Sequence, residues 1–233
     1  MCATSARTVL NHHSIAGKIQ IYWSISMVPS LITFDVFGTV LDWKSGMEAS
    51  CLAAGRPLRH DEFDSVINRQ AELEAEVFCS YSEITRRSLI EVLGLDEHVA
   101  EEIGNNVGEW PLFSDASALR GLMKITPCAA MTNSDRAHGK QVQQSLGFEL
   151  SDWLSAEEIR LYKPDPNFWW AMSRRTGVQP GPTWWHASAY ADYDLAVADQ
   201  LGPTTVFVRR AHARPGSARH EILDLSDLVA MLD

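Results

Sequence analysis

The sequence predicts an α/β fold: a parallel-sheet core, interrupted just after its first strand by an inserted α-helical cap. Three observations carry this reading. Leu31-Ile32-Thr33-Phe34 is a short apolar run closed by Asp35 and a Gly-Thr turn, as a buried parallel strand would be. Residues 44–110 then read as helical throughout. From Trp110-Pro111-Leu112 onward, helix-like and strand-like stretches alternate, which is the pattern of a parallel sheet with helices on both faces.

Within the insert, Phe63, Val66, Ile67, Leu73, Val77 and Phe78 fall on or near one face at helical periodicity. A second helical stretch covers 82–93 and stops at Gly94, and a third starts near Asp96 and runs through Ile103. Past the insert, the pattern predicts a helix over 116–124 and a strand over 128–132, then a helix reaching Leu146-Gly147. A strand over 184–188, a helix over 194–201 and a last strand over 204–208 complete the order. There is no internal repeat.

The chain has 233 residues, enough for one sizeable core or a core with a small cap. Its net charge of −10 and its scattered Lys and Arg residues argue against nucleic acid as a partner. No apolar run approaches the ~20 residues of a membrane span. The four cysteines show no close spacing, so reduced thiols in a cytoplasmic protein are expected rather than a disulfide framework or zinc site. Residues 1–26 carry no acidic residue and no long periodic pattern. Three readings fit them: an upstream start with Met27 as the real one, an organelle-targeting segment, or a structural extension.

Open α/β sheets bind ligands beyond the carboxyl ends of their strands. The polar residues at those ends are Asp35 and Thr39, Thr132-Asn133, Lys163, and the loop from Ser188 to Asp194. A carboxylate at a strand end, facing the N–H groups of a turn, suits a nucleophile or a metal ligand, while a turn-capping Asp is the plainer alternative.

These segments together resemble the haloacid dehalogenase superfamily. Asp35-x-x-Gly38-Thr39 is similar to its first motif, Thr132-Asn133 to its second and Lys163 in Tyr162-Lys163-Pro164 to its third, with the 188–194 loop in the fourth position. The resemblance runs from about residue 30 to 210 and implies a Rossmann-like core over 27–43 and 111–233 with a helical cap over 44–110. The superfamily's phosphatases carry a second Asp two residues after the nucleophile and acidic residues that hold magnesium. Here those positions are Phe37 and, five residues before Asp194, Ala189. Phosphoryl transfer without cation or acid would leave its developing charge unopposed.

The resemblance therefore implies the (S)-2-haloacid dehalogenase branch, which works without metal or cofactor on a small carboxylate. By that likeness Asp35 displaces a leaving group from the α-carbon, and water hydrolyses the resulting ester. Lys163 keeps Asp35 ionised, Thr39, Thr132 and Asn133 donate hydrogen bonds to the nucleophile or to the substrate carboxylate, and Asp194 holds Lys163 and positions the water. Arg69, in the insert, receives the leaving anion, with a solvated helix arginine as the alternative. Val36, Phe37, Thr132, Asn133 and Trp169 are the candidate substrate contacts, with ordinary packing as the alternative for Trp169. A homodimer is a further implication of the family.

Two departures stand out. Such dehalogenases carry Ser and Asn five and three residues before the last Asp, where this chain has Ala189 and Ala191. Ser188, Tyr190 and Asp192 are the nearby polar residues. That leaves hydrolytic ring opening of a small cyclic amino acid, a magnesium phosphatase and a non-catalytic carboxylate-binding protein as alternatives. His186, at a strand end, reads better as a structural, hydrogen-bonded histidine than as a catalytic one.

Overall fold

The computed structural model describes residues 28–232. Residues 1–26, whose three readings are given above, lie outside the described residues.

Strand β1 (Leu31–Phe34) is buried along its whole length. Four helices follow in the insert. Helix α1 (Trp43–Ala53) starts on Asp42, whose side chain accepts from Ser45 N. Helices α2 (Glu62–Glu74), α3 (Tyr81–Leu93) and α4 (Glu97–Asn106) come next. Helix α3 is capped by Ser80 at its start and by Gly94, in the left-handed region, at its end. The stretch is thus not helical throughout: chain segments without helix separate α1 from α2 and α2 from α3. Val77, expected on the buried face, lies beyond the end of α2 and is exposed.

After a short helical turn, α5 (Leu119–Leu122), come β2 (Cys128–Thr132) and α6 (Arg136–Leu146). Next are β3 (Asp152–Ser155), α7 (Ala156–Ile159), α8 (Asn167–Thr176) and β4 (Trp184–Ser188). The chain closes with α9 (Ala196–Leu201), β5 (Thr204–Val208), β6 (His220–Ile222) and α10 (Leu225–Leu232). The predicted strands at 128–132, 184–188 and 204–208 are present. The short strands β3 and β6, which pair with β2 and β5 at the two ends of the sheet, were not predicted.

All six strands are parallel, in the order β3-β2-β1-β4-β5-β6. Strand β1 therefore lies between β2 and β4, where the strand order reverses direction, and a crevice opens there beyond the carboxyl ends. The helical insert leaves and rejoins the core at one place. Asp42 N donates to Pro111 O at 2.7 Å and Phe113 N to Val40 O at 3.0 Å. Among the described residues no helix is long and apolar enough to cross a membrane.

Candidate active site

Asp35 is the first residue past β1, and the loop that follows wraps around it. Val36 O accepts from the backbone N–H of Thr39, Val40 and Leu41, which closes a tight turn. Gly38 sits in that turn at φ +90°, and a Cβ there would lie 2.6 Å from Tyr190 Oη. Both facts demand glycine. The turn brings Thr39 back over Asp35: its hydroxyl donates to Asp35 Oδ2 at 2.8 Å and accepts from Ala189 N at 2.9 Å.

Lys163 meets the other oxygen. Its Nζ is 2.9 Å from Asp35 Oδ1 and 2.8 Å from Asp194 Oδ2, and all three side chains are buried. Asn133 fixes the lysine's backbone: its Oδ1 accepts from Lys163 N at 2.7 Å and its Nδ2 donates to Lys163 O at 3.0 Å. Behind the triad, Trp184 Nε1 donates to Thr33 Oγ1 at 2.7 Å, and the Thr33 hydroxyl lies 2.7 Å from His186 Nδ1. On its other side the imidazole Nε2 lies 3.1 Å from Asp194 Oδ1. His186 is thus buried between Thr33 and Asp194.

Charge follows geometry. Burial pushes the Asp35 carboxyl above the usual carboxylate range; Lys163 opposes that and Asp194 adds to it. Burial acts in the same direction on Asp194, but Lys163 and His186 outweigh it and hold that group well below the ordinary value. Burial would draw the Lys163 ammonium down, and its two carboxylate partners keep it above the ordinary lysine value instead. Lys163 and Asp194 thus form the permanent ion pair, while Asp35 is the carboxylate whose charge is sensitive to its surroundings.

Asp35 and Lys163 open onto a cavity of about 580 Å³ between the core and the insert. Phe37, Thr132 and Asn133 line it, as expected. Thr132 and Asn133 do not bond Asp35, however. The Thr132 hydroxyl donates to Ser134 Oγ, and the Asn133 amide is engaged by Lys163 and Glu74. Asp194 is fully buried behind Lys163 rather than at the cavity wall, with its oxygens turned to Lys163 and His186. It can hold the lysine but is not placed to position water.

Three other expectations need correction. Arg69 does not line the cavity: its guanidinium is drawn to Glu91 and Glu72, at 2.5 and 2.7 Å. Helix geometry explains this, because the buried face of α2 runs through Phe63, Val66, Ile67, Gln70 and Leu73, and residue 69 is turned about 100° from residue 70. Trp169 is buried against His186, with ring centroids 5.7 Å apart, so the packing alternative holds for it. The Val36 side chain is buried away from the cavity, and it is the residue's carbonyl that serves, as the anchor of the turn.

In place of Arg69, α2 presents Gln70 and Glu74 to the cavity. The Gln70 amide is held by Tyr81 Oη at 3.0 Å and Ser88 Oγ at 3.3 Å. Tyr190, Asp192 and Tyr193, from the loop after β4 that also carries Ala189 and Ala191, line the cavity too. Arg160 and Arg214 also reach the lining. Sequence reasoning missed Glu74, although the periodicity through Ile67 and Gln70 already placed it on the same face.

A divalent cation would need several oxygen ligands. Asp35 and Asp194 both face the Lys163 ammonium, Glu74 is engaged by the Asn133 amide, and residue 37 is a phenylalanine. Among the described residues no group of three or more His, Cys, Asp or Glu side chains is placed to hold a metal ion. The donor set does not fit a magnesium site.

Comparison with known proteins agrees with this architecture. No family model matches the chain. It is similar to (S)-2-haloacid dehalogenase 4A of Burkholderia cepacia, 24% identical over 228 residues that cover 88% of this chain and 96% of the relative. A crystal structure of an L-2-haloacid dehalogenase matches with a TM-score of 0.76 and 25% identity, covering 88% of this chain and 100% of that one. The L-2-haloacid dehalogenase of Xanthobacter autotrophicus with chloropropionic acid covalently bound matches with a TM-score of 0.74 and 16% identity, covering 87% and 98%. The chain has the Rossmann-like core and helical cap of these proteins, and its neighbours by sequence and by structure include L-2-haloacid dehalogenases of the haloacid dehalogenase superfamily.

Proposed function

We propose that this protein is a hydrolase in which Asp35 attacks the α-carbon of a small carboxylic acid and displaces its 2-substituent, without a metal ion. The observation that carries this is the Asp35–Lys163–Asp194 triad. One oxygen of Asp35 faces an ammonium and the other a hydroxyl, in a site removed from bulk water. A carboxylate held this way keeps its orientation without strong hydration, which suits a nucleophile. Attack forms an ester at Asp35 and expels the leaving group with the bonding electron pair. Water then adds to the Asp35 carboxyl carbon, and the Thr39 hydroxyl and Lys163 ammonium stand where the developing oxyanion needs donors. Collapse regenerates the carboxylate and releases a 2-hydroxy acid. The similarity to 2-haloacid dehalogenases supports the reaction type, and Phe37 in place of a second aspartate supports attack on carbon over attack on phosphorus.

A single turnover with 2-chloropropionate in ¹⁸O-labelled water tests this. Label is expected in the peptide containing Asp35, turnover is expected to persist in EDTA, and Asp35→Ala is expected to abolish it. Product formed with no label in Asp35, or activity lost to the chelator, overturns the proposal.

A further inference from the structure

The α2 wall of the cavity carries a carboxyl that the displacement by Asp35 does not use. Glu74, the last residue of α2, lines the same cavity as Asp35. Asn133 Nδ2 donates to its Oε2 at 3.0 Å. Among the described residues its Oε1 has no hydrogen-bond partner, and no lysine or arginine forms an ion pair with it. A carboxyl that accepts through one oxygen and lacks a cation is set up to carry its proton on the other.

The surroundings favour that state. Burial pushes the Glu74 carboxyl up to about 8, with Asn133 and Lys163 pulling it down and Asp35 adding to the rise. Tyr81 on α3, Tyr162 ahead of Lys163 and Tyr193 after β4 are the phenols that feel its charge. Glu76, Arg160, Asp165, Asp192 and Arg214 are the other charged groups of the cavity lining. At the same time Arg69, which would have received a leaving anion, is neutralised by Glu72 and Glu91 outside the cavity. The insert offers the reacting bond a proton donor instead of a guanidinium.

We infer that Glu74 is the general acid of this site and that the leaving atom it serves is an ether oxygen, as in a small oxirane-2-carboxylate, rather than a halide. The inference rests on the reading of Asp35 as the nucleophile. Asp35 forms a bond to the α-carbon, the carbon–oxygen bond breaks with its electron pair going to oxygen, and the Glu74 proton moves to that oxygen. Water then adds at the Asp35 carboxyl carbon. The ester C–O bond breaks, the diol acid leaves, and the proton released returns to the Glu74 carboxylate. Atoms and charge balance over the cycle, with one water consumed. A neutral donor needs a lone pair to receive its proton: an oxirane oxygen has one, a halide leaves without a proton, and a ring ammonium has no lone pair free.

The test compares wild type, Glu74→Gln and Glu74→Asp on oxirane-2-carboxylate, 2-chloropropionate and azetidine-2-carboxylate, with melting temperatures as the folding control. Wild type is expected to hydrolyse the oxirane, with kcat/KM falling as pH rises through about 8. Glu74→Gln is expected to lose about 100-fold on the oxirane and to lose that alkaline limb. The loss on the oxirane is expected to exceed that on 2-chloropropionate by roughly tenfold, with partial recovery in Glu74→Asp. Equal losses on both substrates, an oxirane rate untouched by Glu74→Gln, or a wild type that opens no oxirane overturns the inference. Failure of the nucleophile reading shows separately, as absence of ¹⁸O from Asp35 with every substrate.

Discussion

Lys163 reaches Asp35 from 128 positions away in the chain, and the two meet at 2.9 Å with both side chains buried. The same ammonium holds Asp194, so one cation orders two carboxylates.

Lys163→Met leaves Asp35 and Asp194 buried without a cation. Breaking a buried pair of this kind costs about 3–5 kcal/mol. Urea unfolding is expected to show that loss, and turnover is expected to vanish with it. A variant as stable as wild type would mean that the ammonium does not neutralise the pair.

The acid side of the pH profile belongs to Asp35. On the proposed mechanism Asp35 must be ionised to attack, and burial sets its pKa above the usual value. Turnover is therefore present above that raised pKa and lost as pH falls through it, already above the ordinary carboxylate pKa of about 4. Asp194 lies below its usual value and stays charged across that range. Thr39→Val removes the hydroxyl that donates to the carboxylate and is expected to move the acid limb to higher pH. An acid limb unmoved by that substitution would count against the assignment.

Asp135 ties the insert to the core. Its carboxylate accepts from Tyr81 N at 2.8 Å, Ser82 N at 2.9 Å and Ser82 Oγ at 2.6 Å, all at the start of α3. Asp135→Ala strands two amide donors, for about 1–3 kcal/mol of stability. Because Tyr81 lines the cavity, KM is expected to rise more than kcat falls. Calorimetry and steady-state kinetics check the two halves.

Arg69→Ala separates this structure from its resemblance. The arginine pairs with partly exposed glutamates outside the cavity, and such pairs contribute about 0–1 kcal/mol. Turnover and stability close to wild type are expected. A hundredfold loss in kcat would place Arg69 at the leaving group after all.

What the sequence made legible was whatever lies at a strand end or in a marked turn of the core. Asp35, Thr39, Thr132, Asn133 and Lys163 all follow apolar runs or turn signals, and the four segments converge as the sheet rule requires. Residues on the insert were harder, because a helix shows its spacing but not its rotation. A turn of about 100° exchanges Arg69 for Gln70 and brings Glu74 to the cavity. Strands β3 and β6 are four and three residues long, too short for alternation to register. Trp169 misled because a large aromatic near a motif fits a pocket wall and a core equally well until its neighbour, His186, is known.

Leu41 and Leu112 pair as an isolated antiparallel bridge at the point where the helical insert departs and returns. A segment whose two ends already touch is a closed cassette. Its helices can be exchanged or lengthened while Asp35, Lys163 and Asp194 keep their positions, since none of the three belongs to it. On the proposed mechanism, such a chain separates two evolutionary tasks: the core keeps the attacking carboxylate, and changes within one loop of helices reshape the wall it faces.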